Sequence, residues 1–350
     1  MAFTLQCLFF SGMGAVQPLK ITSIQTTIYK NRFKKSFTIA GVLLSERTGL
    51  ILEITTADFI AQGEIAPLEG ASRESFKKAR HDLSIIEGQL IGLEIPSDSK
   101  EFLGFLKNFR PLYPLCASVR FGVESAMFDL VCQAQKTTLT EFLGGRLREV
   151  STAVLLQGPL EQIVQEAKDF ARQGYEVFKV KVGNRNIPLD FKKVDQLREI
   201  LPEDALIRLD ANKAWSFNEA VLFGKLIGTE RIDFIEEPLK DISQIDEFYQ
   251  QTHIPIALDE TLSVIPCGIS APGRCSSTLA HHEGVNAYVL KPMVLGGITV
   301  TLDWIEQAKN LGKKAVISSC FESSVGLKVL KNLALLTDQV PGLGAQLWLR

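Results

Sequence analysis

From about Val150 onward the chain keeps one rhythm, a short β-branched run followed by a helical pattern, repeated roughly every 25 to 30 residues. The strand-like runs are STAVLLQ, EVFKVKV, ALIRLD, RIDFIEE, IPIALDE, VNAYVLK and KAVISS. Between them lie LEQIVQEAKDFARQG, DFKKVDQLREIL, SFNEAVLFGKLIG, DISQIDEFYQQT and TVTLDWIEQAKNLG. Alternation of this period means parallel strands, because parallel neighbours need a crossover helix and the crossover is right-handed. Seven or more such units favour a closed barrel over an open sheet. No GxGxxG or Walker loop follows the early strands, which counts against a nucleotide-binding doubly wound sheet. The expected fold is α/β, a parallel barrel of the TIM type.

The first 140 or so residues read differently. LKITSIQTTIY, then FTIAGVLLSE after a basic turn (Lys30 to Lys35), then LILEITTA predict a three-stranded antiparallel meander. Ser72-Arg-Glu-Ser75 opens a charged helix, and SVRFGVESAMFDLVCQAQ carries an apolar helical stripe. Strands followed by helices make an α+β unit. The chain is thus expected to divide into an α+β unit, residues 1–142, and a barrel, residues 143–334. A length of 350 residues accommodates two such units.

Composition narrows the partners. The chain is 46% hydrophobic and 22% charged with a formal net charge of −2, which leaves no basic footprint for nucleic acid and no acidic tail. No run approaches the roughly 18 apolar residues of a membrane helix, so no membrane partner is expected. The opening MAFTLQCLFFSGMGA is apolar but lacks a positive n-region; a frayed tail or an upstream start before Met13 competes evenly with a targeting role. Cys7, Cys116, Cys132, Cys267, Cys275 and Cys320 form no CxxC pair and read as reduced thiols in the cytoplasm. His281 and His282 with Cys267 and Cys275 are too irregularly spaced for zinc. Oligomeric state stays open.

The active site of a parallel barrel lies where its strands end. The second strand ends on Lys179-Val-Lys181 and the third on Asp210. The fourth ends on Glu236-Glu237, the fifth on Asp259-Glu260, the sixth on Lys291 and the seventh on Ser318-Ser319. Any one of these acids alone reads as a solvated loop residue or as a partner of the lysines. Three on consecutive strand ends would repel one another unless a cation lay among them, and all-oxygen ligation suits hard Mg²⁺, with Mn²⁺ as a second choice. Lys179 and Lys181, two apart, point to one face, which their apolar neighbours make the barrel interior. Lys291 enters four strands on. Ammonium groups close to each other and to a dication should have lowered pKa values, and such a lysine can serve as a general base. The residues therefore predict metal-assisted removal of a proton beside a carboxylate.

With its lysines on the second and sixth strands and no His after His282, the chain resembles the muconate-lactonising subgroup of the enolase superfamily. Within it, GEIAPLEGASRES, IRLDANKAW, FIEEPL and VISSCFESSVGL resemble the o-succinylbenzoate synthase family. The resemblance implies a modified TIM barrel of (β/α)7β type under an α+β capping domain that residues 335–350 rejoin, and a cap loop at GEIAPL that closes over the substrate. It makes Asp210, Glu236 and Asp259 the metal ligands, sets Glu237 behind them, and adds Arg208 to the substrate-binding residues. It implies a small carboxylate substrate, 2-succinyl-6-hydroxy-2,4-cyclohexadiene-1-carboxylate, on the menaquinone or phylloquinone pathway. Lys181 would take the proton alpha to the ring carboxylate, giving an enediolate held by Mg²⁺, and then help the hydroxyl leave as water. Lys291 would stabilise the opposite ring face and Lys179 would support the enediolate.

Ser318 and Ser319 either offer donors to the succinyl carboxylate or form a polar turn that Ser323 caps. Cys320 stands where related sequences tend to carry another small residue. The rival within the subgroup is an N-acylamino acid racemase or dipeptide epimerase, with the two lysines alternating as acid and base. Dipeptide epimerases usually show a late Asp-x-Asp, and here the stretch reads TDQVPGLG. Muconate cycloisomerisation and a silent binding barrel complete the alternatives.

Overall fold

The computed structural model describes residues 18–39, 41–183, 186–264 and 282–349. Its N-terminal half holds β1 (Leu19–Lys20), β2 (Ser23–Ile39), β3 (Val42–Thr55), β4 (Ile60–Ile65) and β5 (Glu94–Ile95). β2, β3 and β4 form the antiparallel meander, and β1 pairs with β5. Helices Phe76–Leu90, Ser99–Asn108 and Ala117–Gln135 pack with it, the first capped by the Ser75 hydroxyl accepting from Lys78 N (3.2 Å).

The meander is present, but its strands begin and end elsewhere than the sequence pattern indicated. The basic run Lys30–Lys35 lies inside β2, the reversal falls within FTIAGVLLSE, and the third strand is Ile60–Ile65. The pairs Arg32↔Glu46 and Phe37↔Leu44 leave residues 33–36 of β2 opposite Ser45 alone. That bulge absorbs the charges: Phe33 and Phe37 turn inward while Arg32, Lys34 and Lys35 face water. Gly41, at φ 84°, supplies the left-handed residue of the true turn.

β6 (Val154–Leu156), β7 (Val177–Lys181), β8 (Leu206–Asp210), β9 (Ile232–Glu236), β10 (Ile256–Leu258), β11 (Val285–Leu290) and β12 (Lys314–Ile317) follow. They form one seven-stranded parallel sheet in sequence order, and every strand falls within one of the predicted runs. Helices Leu160–Arg172, Ile187–Ile200, Phe217–Ile227, Ile245–Thr252, Ile298–Asn310 and Ser324–Ala334 return the chain between strands or close the last unit. The sheet curls onto itself through Pro341 and Gly342. Gly342 N donates to Ile317 O (2.8 Å) on one side, and Ala153 N donates to Pro341 O (2.8 Å) on the other. The fold is the expected (β/α)7β barrel with a cap. The C-terminal stretch serves both parts, since Leu349 bridges Phe33 of β2.

Two buried glutamates of the cap meet the N-termini of two barrel helices. Glu64 accepts from Ser323 N (2.9 Å), Ser323 Oγ (2.6 Å) and Gly326 N (2.8 Å) at Ser324–Ala334. Glu124 accepts from Thr299 N (2.9 Å) and Thr299 Oγ1 (2.7 Å) at Ile298–Asn310. Burial pushes the Glu124 carboxyl above its ordinary pKa, and the Thr299 donors work against that shift. Unpaired N–H groups and the positive end of the helix dipole favour a carboxylate there. Because these helices follow β11 and β12, the cap is fastened over the rim that carries Lys291, Ser318 and Ser319.

Among the described residues no helix is long and apolar enough to cross a membrane. Cys116, Cys132 and Cys320 are free thiols. His282 pairs with Asp246 (2.9 Å), whereas Cys267, Cys275 and His281 of the discounted zinc set lie outside the described residues. The apolar N-terminal segment with Cys7 and Met13 lies outside them too.

Candidate active site

β7 buries Val177, Phe178 and Val180 and turns Lys179 and Lys181 to the barrel interior. The Lys179 ammonium lies 2.8 Å from Asp210 Oδ2 and 2.6 Å from Glu236 Oε2. Lys181 lies 2.7 Å from the same Asp210 oxygen and donates to Asn212 Oδ1. Across the barrel Lys291 pairs with Asp259. The three acids are almost wholly buried, at 1%, 1% and 5% exposure for Asp210, Glu236 and Asp259. The register Asp210↔Glu236 sets two of them side by side.

Burial alone would lower the Lys179 pKa, but Asp210 and Glu236 outweigh it and hold the ammonium above the usual lysine range. Lys291 is raised in the same way, burial being reversed chiefly by Asp259. Burial would raise Asp210, yet Lys179 and Lys181 hold it well below the carboxylate range. The acids outweigh the neighbouring ammonium that also acts on Lys179, so both values rise; the lowering expected beside a dication belongs to the loaded site.

Lys179, Lys181, Lys291, Asp210, Ser318 and Ser319 line one cavity of about 270 Å³. Glu236 and Asp259 stand behind the lysines they pair with. Glu237 accepts from Asp259 N (2.8 Å), Thr261 N (2.7 Å) and Thr261 Oγ1 (2.8 Å), fixing the end of β10. The Ser319 hydroxyl is engaged locally, donating to Glu322 (2.7 Å) and accepting from Phe321 N (2.9 Å). Ser323 caps the next helix, accepting from Val325 N (3.3 Å). The structure does not bring Arg208 to the cavity. Its guanidinium meets Asp233 (2.8 Å) and Val340 O (2.7 Å) and lies 5.0 Å from the centre of the Phe234 ring.

Sequence reasoning passed over Asn212, which accepts from Lys181, donates to Glu260 Oε1 (2.8 Å) and takes φ 44°. The Asn of LDAN was the available signal. It also missed Phe37 and Phe321 of the apolar wall, whose Leu68 and Ala71 come from the GEIAPLEGAS segment expected over the substrate. Phe37 and Phe321 pack 5.1 Å apart across the junction of cap and barrel, a proximity that no local pattern encodes.

The donor set suits a hard divalent cation: three buried carboxylates, with no sulfur or imidazole among them. Among the described residues no three acidic, His or Cys groups are gathered closely enough to hold an ion as they stand. The lysine ammoniums occupy the space among them. Glu236 Oε1 nonetheless remains buried without a hydrogen-bond partner, an oxygen that a cation would satisfy.

Residues 162–343 match the family model described as "Enolase C-terminal domain-like", and residues 21–130 match "MenC, N-terminal domain". The fold superimposes with a TM-score of 0.82 on the dipeptide epimerase from Enterococcus faecalis V583 solved with Mg and the dipeptide L-Leu-L-Tyr. That pair is 23% identical, over 95% of this chain and 92% of the other. Barrel, cap and strand-end residues together define the class, an enolase-superfamily enzyme. Among its relatives, the o-succinylbenzoate synthase of Aliivibrio fischeri (strain MJ11) is 31% identical over 87% of this chain and 86% of its own. The synthase of Vibrio cholerae serotype O1 (strain M66-2) is 34% identical over 86% and 82%. The chain belongs to the o-succinylbenzoate synthase family and is, accordingly, a lyase.

Proposed function

We propose that the protein dehydrates 2-succinyl-6-hydroxy-2,4-cyclohexadiene-1-carboxylate to 2-succinylbenzoate on the route to menaquinone or phylloquinone. The observation that carries this reading is that Lys181 and Lys291, four strands apart, face one cavity lined by buried Asp210, with Glu236 and Asp259 buried behind the lysines. The cavity suits a ring bearing acid groups, with apolar Phe37, Leu68 and Phe321 on one side and lysines on the other.

Asp210, Glu236 and Asp259 would hold a divalent cation, Mg²⁺ by donor chemistry with Mn²⁺ also suited. When bound, it supplies Lewis-acid stabilisation of the negative charge developing on the substrate carboxylate. Lys181, in its neutral form, takes the proton from the ring carbon beside that carboxylate. The ammonium so formed gives its proton to the adjacent hydroxyl, which leaves as water while the ring becomes aromatic. Lys291 meets the opposite ring face with positive charge, and Lys179 adds a second fixed charge near the carboxylate. Ser318 offers a hydroxyl toward the succinyl end, and Ser319 supports the loop that carries it. Arg208, bonded beneath the site, steadies the strands rather than the substrate. The same reading takes residues 1–142 with 335–350 as cap and 143–334 as catalytic barrel, working in a reducing, cytoplasmic setting.

Purified protein with Mg²⁺ and the cyclohexadiene substrate tests the proposal. Rapid loss of diene absorbance, abolished by EDTA and restored by Mg²⁺, is the expected result. Inertness toward the diene, with metal-dependent deuterium exchange at an N-succinylamino acid, would make the protein a racemase instead. Metal binding without either activity would leave a binding barrel.

A further inference from the structure

Behind Lys181 lies a buried ion pair that the chemistry does not use. Helix Ile187–Ile200 follows β7 and turns Asp190 and Lys193, one helical turn apart, toward the end of that strand. Their charges are 2.8 Å apart, with side chains 0% and 8% exposed. Each also grips the backbone. The Lys193 ammonium donates to the carbonyl oxygen of Lys181 (3.1 Å), and Asp190 Oδ2 accepts from Gly183 N (2.8 Å). These bonds fall on either side of Val182.

The β8 side closes the grip. Val182 N donates to Asp210 O (3.0 Å). Gly183, at φ 91°, passes so near that chain that a Cβ would lie 2.8 Å from Ala211 O and 2.7 Å from Ala214 Cβ. The two residues after Lys181 are therefore clamped between a helix and the end of the next strand. A buried ion pair is a poor source of stability, since a well-packed apolar pair of similar volume often does as well. What this one supplies is position.

We propose that Asp190 and Lys193 are positioning residues for proton transfer, setting the Lys181 backbone so that its amine meets the carbon that loses its proton. This rests on Lys181 being the base. Small displacements of a reacting group are costly, with about 1 Å worth about a hundredfold in rate. Neither residue lines the cavity, so substrate binding should be spared when they are changed.

The test is the double variant Asp190→Asn with Lys193→Met, which removes both charges without stranding either. It is expected to keep the wild-type circular dichroism spectrum and a KM within about twofold, while kcat falls about 10- to 100-fold. The deuterium isotope effect on kcat for substrate labelled at the departing proton should rise, because proton abstraction becomes slower relative to other steps. The Gly183 amide should also exchange faster with D₂O, with or without metal. Should the double variant not fold, Asp190→Glu, which keeps the ion pair but displaces it by one methylene, is expected to lower kcat and raise the isotope effect in the same direction. Wild-type kcat and isotope effect in a folded variant would overturn the proposal. Lys181→Ala, assayed in parallel, separates the two claims. Its inactivity beside a fully active clamp variant removes the clamp alone, whereas an active Lys181→Ala removes the base assignment and the clamp with it.

Discussion

Lys181→Ala is expected to lower kcat by about 10²–10⁴-fold, the usual worth of a positioned general base, while leaving the fold intact. Lys181 is the most exposed of the three lysines, with 34% of its side chain open to the cavity. Its loss does not strand Asp210, which keeps the Lys179 ammonium at 2.8 Å. Asn212 keeps its bond to Glu260 as well. The deletion is therefore confined to the amine proposed to take the proton. Removing Lys179 would be a different experiment, because Asp210 and Glu236 share that cation and would be left facing each other. Near-normal turnover by Lys181→Ala in a steady-state assay would refute its role.

Asp210→Asn is expected to weaken Mg²⁺ binding more than about tenfold in a calorimetric titration. Even partners one step removed from a metal are worth roughly 10–100-fold in affinity. The substitution keeps shape and one acceptor oxygen but removes one of three negative charges. It also takes away the acid partner of Lys181 and one of the two that hold Lys179, so both ammoniums would repel an incoming dication more strongly. Affinity equal to that of the wild type would mean that the ligand set is wrong.

The barrel was legible because each parallel strand is an apolar β-branched run and each crossover helix has its own period; these signals are local. The acids and lysines were legible for a related reason, since strand order alone assigns them to one rim. Arg208 shows the limit of that logic. It shares a face with Asp210, but two residues back along a strand is roughly 7 Å deeper. There it meets Asp233 and the Phe234 ring rather than the cavity.

The cap was harder to read. Lys30 to Lys35 looked like a turn because four charges interrupt an alternating strand, yet the bulge between Arg32 and Phe37 carries the strand through them. Acids beside Lys179 and Lys291 hold their pKa values up, a pairing that strand order alone does not specify. Sequence reveals which charges share a rim but not which of them touch. Asn212 and the Asp190–Lys193 pair show the same boundary, since each matters through a single distance to Lys181 or its backbone.

A crystal structure with 2-succinylbenzoate and Mg²⁺ would test the central claim most directly. The ion is predicted on oxygens of Asp210, Glu236 and Asp259 and on the ring carboxylate. The amines of Lys181 and Lys291 are predicted on opposite faces of the ring. An ion held elsewhere, or both amines on one face of the product, would contradict the account.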